Sequence, residues 1–411
     1  MMETRKIELG NPIREGKIII NGQTRIGKIY RVNIKSLYYN DENGRIATFI
    51  MKYESEHSKN IKSLDFDEYN DTIMKFIKDS GSSTNYRKTK EDIKEHGQLK
   101  TGIILEDGRV IDGNRRFTCL RELYQENPDE KYLYFECFVI PVPKTREDKT
   151  IIKSLELNYQ FGEDQREDYD PIDKLVDTYI YLVNPKTKMF TPEEYRARTN
   201  NMIKLNEIKF RMLKAKTLYD YLDFIGYPNR FDIARDFKLD GPIQELAIKR
   251  KKLGEDSDEW NRIAPVLFTQ MRYMGGDRAR EIRKLLKIYD NEPNKFDSIA
   301  EEVFKISMKD ENLSSFAYDS VTEKEKKREI QQDLARLDNT INRAHAVVSR
   351  NQARDKQIKI LEDVLGKLDS IDNIALRLSN EEEKLKMLNE INQIESKIKR
   401  IKEVIGNVNK I

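Results

Sequence analysis

The chain has 411 residues, 36% of them charged and 38% hydrophobic, with 75 Lys+Arg against 72 Asp+Glu for a formal net charge of +3. Ordinary globular chains carry roughly 25% charged and roughly 45–50% apolar residues, so this balanced excess excludes a single-sign disordered tail and predicts long solvated helices with ion-paired faces. The length exceeds one core and implies about two to four domains. No stretch approaches the roughly 18 apolar residues that cross a bilayer.

In chain order, residues 1–165 are mixed. Strand-like runs rich in β-branched and aromatic residues fall at 17–20, 28–34, 102–105, 109–111 and 134–140. Asp107-Gly108 between two of them reads as a hairpin turn. Helices are expected over 67–78 and 90–96, with residues 80–85 as a loop around Gly81-Ser82-Ser83. From Pro171 onward strand signals fade, and 171–182, 191–199 and 206–221 show helical spacing. Thr191-Pro192-Glu193-Glu194 is a helix start, with an N-cap, proline at the first position and acids in the first turn. Residues 240–310 read as helical, with Gly275-Gly276-Asp277 as a break.

The last part contains two apolar stripes in steps of three and four. One is Ile330, Leu334, Leu337, Ile341, Ala344 and Val348; the other is Met387, Ile391, Ile394, Ile398, Ile401, Ile405 and Val408. Residues 369–380 between them are turn-like, which predicts an antiparallel helical hairpin. The expected division is 1–165, 166–235, 236–318 and 319–411.

Three clusters carry chemistry. In the first, a strand runs into Asp112-Gly113-Asn114-Arg115-Arg116 and a helix begins there. Free N–H groups and the positive dipole end favour an anion, Gly113 lets backbone approach it, and Arg115 and Arg116 add forked donors suited to phosphate. Pairing of Asp112 with the arginines alone would also account for these letters. In the second, Glu156, Asn158 and the run from Gln165 to Asp173 bring carboxylates and an amide to a helix start, donors that suit Mg²⁺ beside a triphosphate or simply a solvated loop. In the third, a short helix, a polar turn at Asn200-Asn201 and a helix bearing Lys204, Lys209, Arg211, Lys214 and Lys216 suggest a helix-turn-helix that contacts DNA, or a basic solvated face. Cys119 and Cys137 read as reduced core residues. His57, His96 and His345 are too scattered for a zinc site. No apolar segment follows the first six residues, so a secretion signal is not expected and a cytoplasmic location is.

In this order the clusters resemble the ParB family of centromere- and operator-binding clamps, within the ParB/sulfiredoxin superfamily. Asn40, Asn43 and Arg45 look like a loose first box, Gly97-Gln98-Leu99 with Val110-Ile111-Asp112-Gly113-Asn114-Arg115-Arg116-Phe117 like the second, and Gln165-Arg166-Glu167-Asp168-Tyr169-Asp170-Pro171-Ile172-Asp173 like the end of the third. The likeness covers residues 28–225. It implies an α+β nucleotide-binding domain, then all-α helix-turn-helix and helical domains, with a C-terminal coiled-coil hairpin added. It further implies CTP or ATP with Mg²⁺, double-stranded DNA, a homodimer and, as an open partner, a ParA-type ATPase. Gly113, Asn114, Arg115, Arg116 and Arg166 would hold the triphosphate. The family's second-box Glu is Asn114 here. Its Glu-Asn metal pair falls ungapped on Gly162 and Glu163, or on Glu156 and Asn158 if a gap is allowed, so hydrolysis stays open. The segment 48–87 is long for the family. Sulfiredoxin chemistry lacks its cysteine in the turn, and the free-serine kinases lack their histidine. A ParB-like nuclease, a phage-defence or DNA-modification regulator, and a transcriptional regulator with a degenerate nucleotide site remain alternatives.

Overall fold

A computed structural model describes residues 6–20, 23–162, 170–199, 201–273, 277–309 and 324–406. Its N-terminal part is built on a six-stranded mixed sheet of order β1-β2-β6-β4-β5-β3. The strands are β1 (Arg14–Ile20), β2 (Gln23–Asn33), β3 (Tyr38–Tyr39), β4 (Gly102–Leu105), β5 (Arg109–Asp112) and β6 (Tyr134–Ile140). β1 pairs antiparallel with β2, and β2 antiparallel with β6. β6 runs parallel to β4, β4 antiparallel to β5, and β5 parallel to β3. Gly108, at φ +93°, closes the β4–β5 hairpin where a side chain would be strained.

Side chains alternate across the sheet, so each short strand feeds two cores. Ile104, Val110, Phe135 and Cys137 enter one core with Phe117 and Leu120. Ile103, Ile111, Phe138 and Ile140 enter the other with Leu155. Burial on both faces explains why β4 is apolar throughout. Each such side chain contributes about 1.5–3 kcal/mol relative to exposure. Cys119 and Cys137 are free and buried, as expected.

The first core is roofed by α2 (Phe66–Ser80), α3 (Ser83–His96) and α4 (Asn114–Glu126). α2 also closes the β3 edge: Tyr39 N–H donates to Asn70 Oδ1 at 3.2 Å, and Tyr69 Oη donates to the Tyr39 carbonyl at 3.0 Å. The expected loop over 80–85 shrinks to Gly81 and Ser82, because Ser82 serves as the N-cap of α3. The second core is covered by α5 (Arg146–Gly162).

The rest is helical, with α1 (Ala47–His57) from the long insert packed on it. α6 (Pro171–Thr178) widens into a π turn at Tyr179–Val183. Next come α7 (Pro192–Arg198), α8 (Leu205–Phe224), α9 (Phe231–Asp236), α10 (Asp240–Leu253), α11 (Asp258–Tyr273), α12 (Arg278–Asn291) and α13 (Pro293–Lys309). Gly275 and Gly276 lie outside the described residues, while Asp277 caps α12. No helix among the described residues is long and apolar enough to cross a membrane.

The chain splits into two compact units at 344, inside the long helix α14 (Lys324–Asp369). In the first unit Ile330, Leu337 and Ile341 of the first stripe are buried, and Lys284 Nζ donates to Asn342 Oδ1 at 2.9 Å. The second unit holds the end of α14, a short α15 (Asn373–Leu378) and α16 (Glu381–Gly406). On α16, Ile391 and Ile405 are 45% and 61% exposed, while Met387 and Ile394 are half-buried.

Candidate functional site

β5 delivers Asp112 to the mouth of a cavity of about 340 Å³. Gly113 follows at φ +91°, and a Cβ there would stand 2.9 Å from Phe135 Cζ, so only glycine fits the turn. α4 then begins at Asn114 with no side-chain cap on its first N–H groups. The residues of this first turn line the cavity, and the helix end favours negative charge. Thr118 Oγ1 donates to the Asn114 carbonyl at 2.8 Å, fixing this first turn against the core.

Gly113, Asn114, Arg115 and Arg116 all line the cavity, so the second box assembles as one surface. Asn114 Oδ1 is buried and takes no donor among the described residues. Arg116 Nη2 donates to Asp112 Oδ2 at 2.8 Å across the helix start. Arg115 reaches toward the α2–α3 corner, where a Cβ on Gly81 would lie 3.9 Å from its Nη2.

The opposite walls come from distant segments. Arg45 belongs to the first box, and the Asn43 side chain accepts from its N–H at 3.1 Å. Lys100 enters from the approach to β4, and Ile77, Ile93, Leu99 and Ile111 supply an apolar side. Lys100 and the α2–α3 corner are functional candidates that sequence reasoning missed. Gly97-Gln98-Leu99 beside them was the available signal.

Glu156 also lines the cavity, 4% exposed. Its Oε1 accepts from Gly44 N–H at 3.4 Å, and its Oε2 lies 3.3 Å from Lys153 Nζ. Burial pushes its carboxyl above the ordinary range against the pull of Lys153. Asn158 lies on α5 with its side chain outside the described residues, and Glu163 and Arg166 lie outside them altogether. Among the described residues no group of three or more His, Cys, Asp or Glu could hold a metal. Among the described residues, Glu156 is the one expected Mg²⁺ donor that lines the cavity.

The α7–α8 pair has the predicted start: Thr191 and Glu194 form a reciprocal capping box and Pro192 opens α7. The five basic residues of the second helix do not share one face, since seven-residue steps align Lys204 with Arg211 and Lys209 with Lys216 on different sides. Lys214 is buried and donates to Asp240 Oδ1 at 2.7 Å and Gln244 Oε1 at 3.2 Å. Lys216 pairs with Asp256 at 2.7 Å. Lys214 therefore serves the helical core, while the Lys216–Asp256 pair lies at the surface, and both acids arrive from further along the chain. Lys204 and Lys209 are exposed at the start of α8, and Arg211 pairs with Glu207 on the same helix at 2.9 Å.

No family model, no curated protein and no solved structure matches the chain.

Proposed function

We propose that the chain is a ParB-like protein that binds a nucleoside triphosphate in the α4 cavity and DNA through the start of α8, as a nucleotide-regulated clamp or partition factor. One observation carries this reading: the glycine-hinged N-terminus of α4 opens into a cavity with a cationic side and an apolar side. A nucleotide has both parts. The phosphates suit the helix start with Arg115, Arg45 and Lys100, and the base or sugar suits Ile77, Ile93 and Leu99. The unpartnered Asn114 oxygen is ready to accept from a ligand hydroxyl or amino group.

With Glu156 held by Lys153 and Gly44, Mg²⁺ would arrive mainly on phosphate and water oxygens, as this cation often does. CTP, the family's usual ligand, and ATP both fit this description. Calorimetry with the four nucleoside triphosphates, with and without DNA, tests it. Binding that disappears in Arg115→Ala is the expected result, and no binding to any of the four sinks the reading.

A second reading has its own support. Arg116 is already neutralised by Asp112. In that reading the chain is a DNA-binding regulator whose cavity takes no nucleotide. Retained DNA affinity in Arg115→Ala, together with no nucleotide binding, would favour it.

A further inference from the structure

The two edges of the sheet are treated differently. β3 is closed by hydrogen bonds with α2, whereas β1 pairs with β2 alone among the described residues. The C-terminal half of β1 is the apolar run Ile18-Ile19-Ile20, without the charge or proline that blunts most edges. The hairpin register sets Lys17 opposite Ile26 and Glu15 opposite Lys28, on the same face as Ile19. Farther along that face Tyr30 packs against the first core, while Ile26 is 74% and Ile19 42% exposed. The hairpin is also basic. Residues 14–33 hold five cations and one acid in a chain that is otherwise nearly balanced. Glu136 takes Arg14 and Arg31. Among the described residues Lys17, Arg25 and Lys28 form no ion pair.

We propose that the β1 edge accepts an extended acidic segment of a partner protein as a seventh strand of the sheet. Main-chain hydrogen bonds to the open side of β1 supply affinity, and the side chains along it supply selection. In antiparallel addition, β-branched residues lie beside Ile18, Ile19 and Ile20, and a carboxylate lies beside Lys17. The unpaired cations select an acidic partner. The exposed isoleucines and the open backbone select a strand over a nucleic acid, whose phosphates match neither. This inference does not depend on the nucleotide reading.

The peptide Val-Val-Val-Glu-Thr-Thr-Glu tests it, since in that register its carboxylates fall beside Lys17 and Arg14. Fluorescence anisotropy of the labelled peptide with the full chain gives a dissociation constant below about 100 μM, and binding slows amide hydrogen exchange over residues 14–20. Lys17→Glu, at an exposed position, keeps its circular dichroism spectrum and weakens the peptide about tenfold. Replacing the first glutamate of the peptide by lysine restores binding to that variant. No binding, equal affinity in Lys17→Glu, or unaltered exchange over 14–20 in the complex overturns the proposal. Lys17→Glu combined with Lys28→Glu leaves affinity for double-stranded DNA in place, and a loss of about tenfold there overturns the proposal by making the hairpin a nucleic-acid surface. Exchange over 14–20 that slows with protein concentration alone overturns it as well, since a second copy then fills the edge.

Discussion

Lys153 Nζ lies 3.0 Å from Asp177 Oδ1, with both side chains about 5% exposed. The same ammonium stands 3.3 Å from Glu156 and 4.3 Å from the ring centroid of Tyr181. One buried cation therefore joins a cavity-lining carboxylate on α5 to α6 and to the aromatic cluster under α7 and α8, where Tyr181 packs with Phe190 and Tyr195. Removing it takes their shared cation away from two buried carboxylates. Lys153→Met is expected to lose about 3–5 kcal/mol of stability. Urea denaturation checks this, and a loss under about 1 kcal/mol would show that water reaches the carboxylates. Adding Asp177→Leu should recover part of the loss, since a pair replaced by apolar groups costs less than a pair broken.

Asp173 makes stability depend on pH in the less common direction. Burial pushes its carboxyl up to about 7, against the opposing pull of Arg235 and the Thr48 hydroxyl. Arg235 Nη1 lies 2.8 Å from Asp173 Oδ2, and Thr48 Oγ1 donates to Oδ1 at 2.7 Å. The folded state holds this proton more tightly than the unfolded state, where an aspartate titrates near about 3.9. The stabilisation is full below the unfolded value and is lost as pH rises through about 7. Thermal melts between those limits should therefore show a contribution that falls with rising pH, on the order of 1.4 kcal/mol per unit. Asp173→Asn should flatten that slope. An unaltered slope in the variant would assign it to other groups.

The sheet was legible where local chemistry dictates it. β4 and β5 are apolar runs around a glycine turn, and the strand–glycine–helix passage into α4 follows from Gly113 alone. β3 was not legible, because two tyrosines have no periodicity and pair only through β5 and the roof of α2. The site divides in the same way. Asn114, Arg115 and Arg116 come from one contiguous turn, whereas Arg45 and Lys100 are brought to it by the tertiary fold. The basic helix misled for a related reason. The acids that take up Lys214 and Lys216 lie 26 and 40 residues further on, invisible to any local reading of charge. The α16 stripe has the right period in sequence, yet period alone does not say whether a partner helix is supplied by the same chain.

Gly113 separates turn geometry from charge at the candidate site. Gly113→Ala puts a Cβ 2.9 Å from Phe135 Cζ and 3.0 Å from Arg116 Nη2, at φ +91°. A loss of about 1–3 kcal/mol is expected from strain in the left-handed region together with the clash. Nucleotide affinity should fall with it, because the first N–H groups of α4 are displaced. Arg115→Lys keeps the turn and the charge while losing the fork, so it should weaken nucleotide binding with stability nearly unchanged. Calorimetry and denaturation on both variants check the pair. Equal nucleotide affinities in the two variants and the unaltered protein would remove the anion-site assignment.

The lysines of α8 fall into two groups with opposite expected readouts. Lys214→Ala leaves Asp240 and Gln244 without their shared donor at a buried position, so stability should drop by about 1–3 kcal/mol. Lys209 lies at the exposed start of the helix, 3.6 Å from an equally exposed Glu193. Such a pair contributes about 0–1 kcal/mol, so Lys209→Ala should leave the melting curve almost in place. If α8 meets phosphates, that same variant lowers DNA affinity severalfold and reduces the slope of log affinity against log salt by about 1. Lys204→Ala should behave likewise. Fluorescence anisotropy over a salt series reads both quantities, and unchanged slopes in the two variants would take α8 out of contact with DNA.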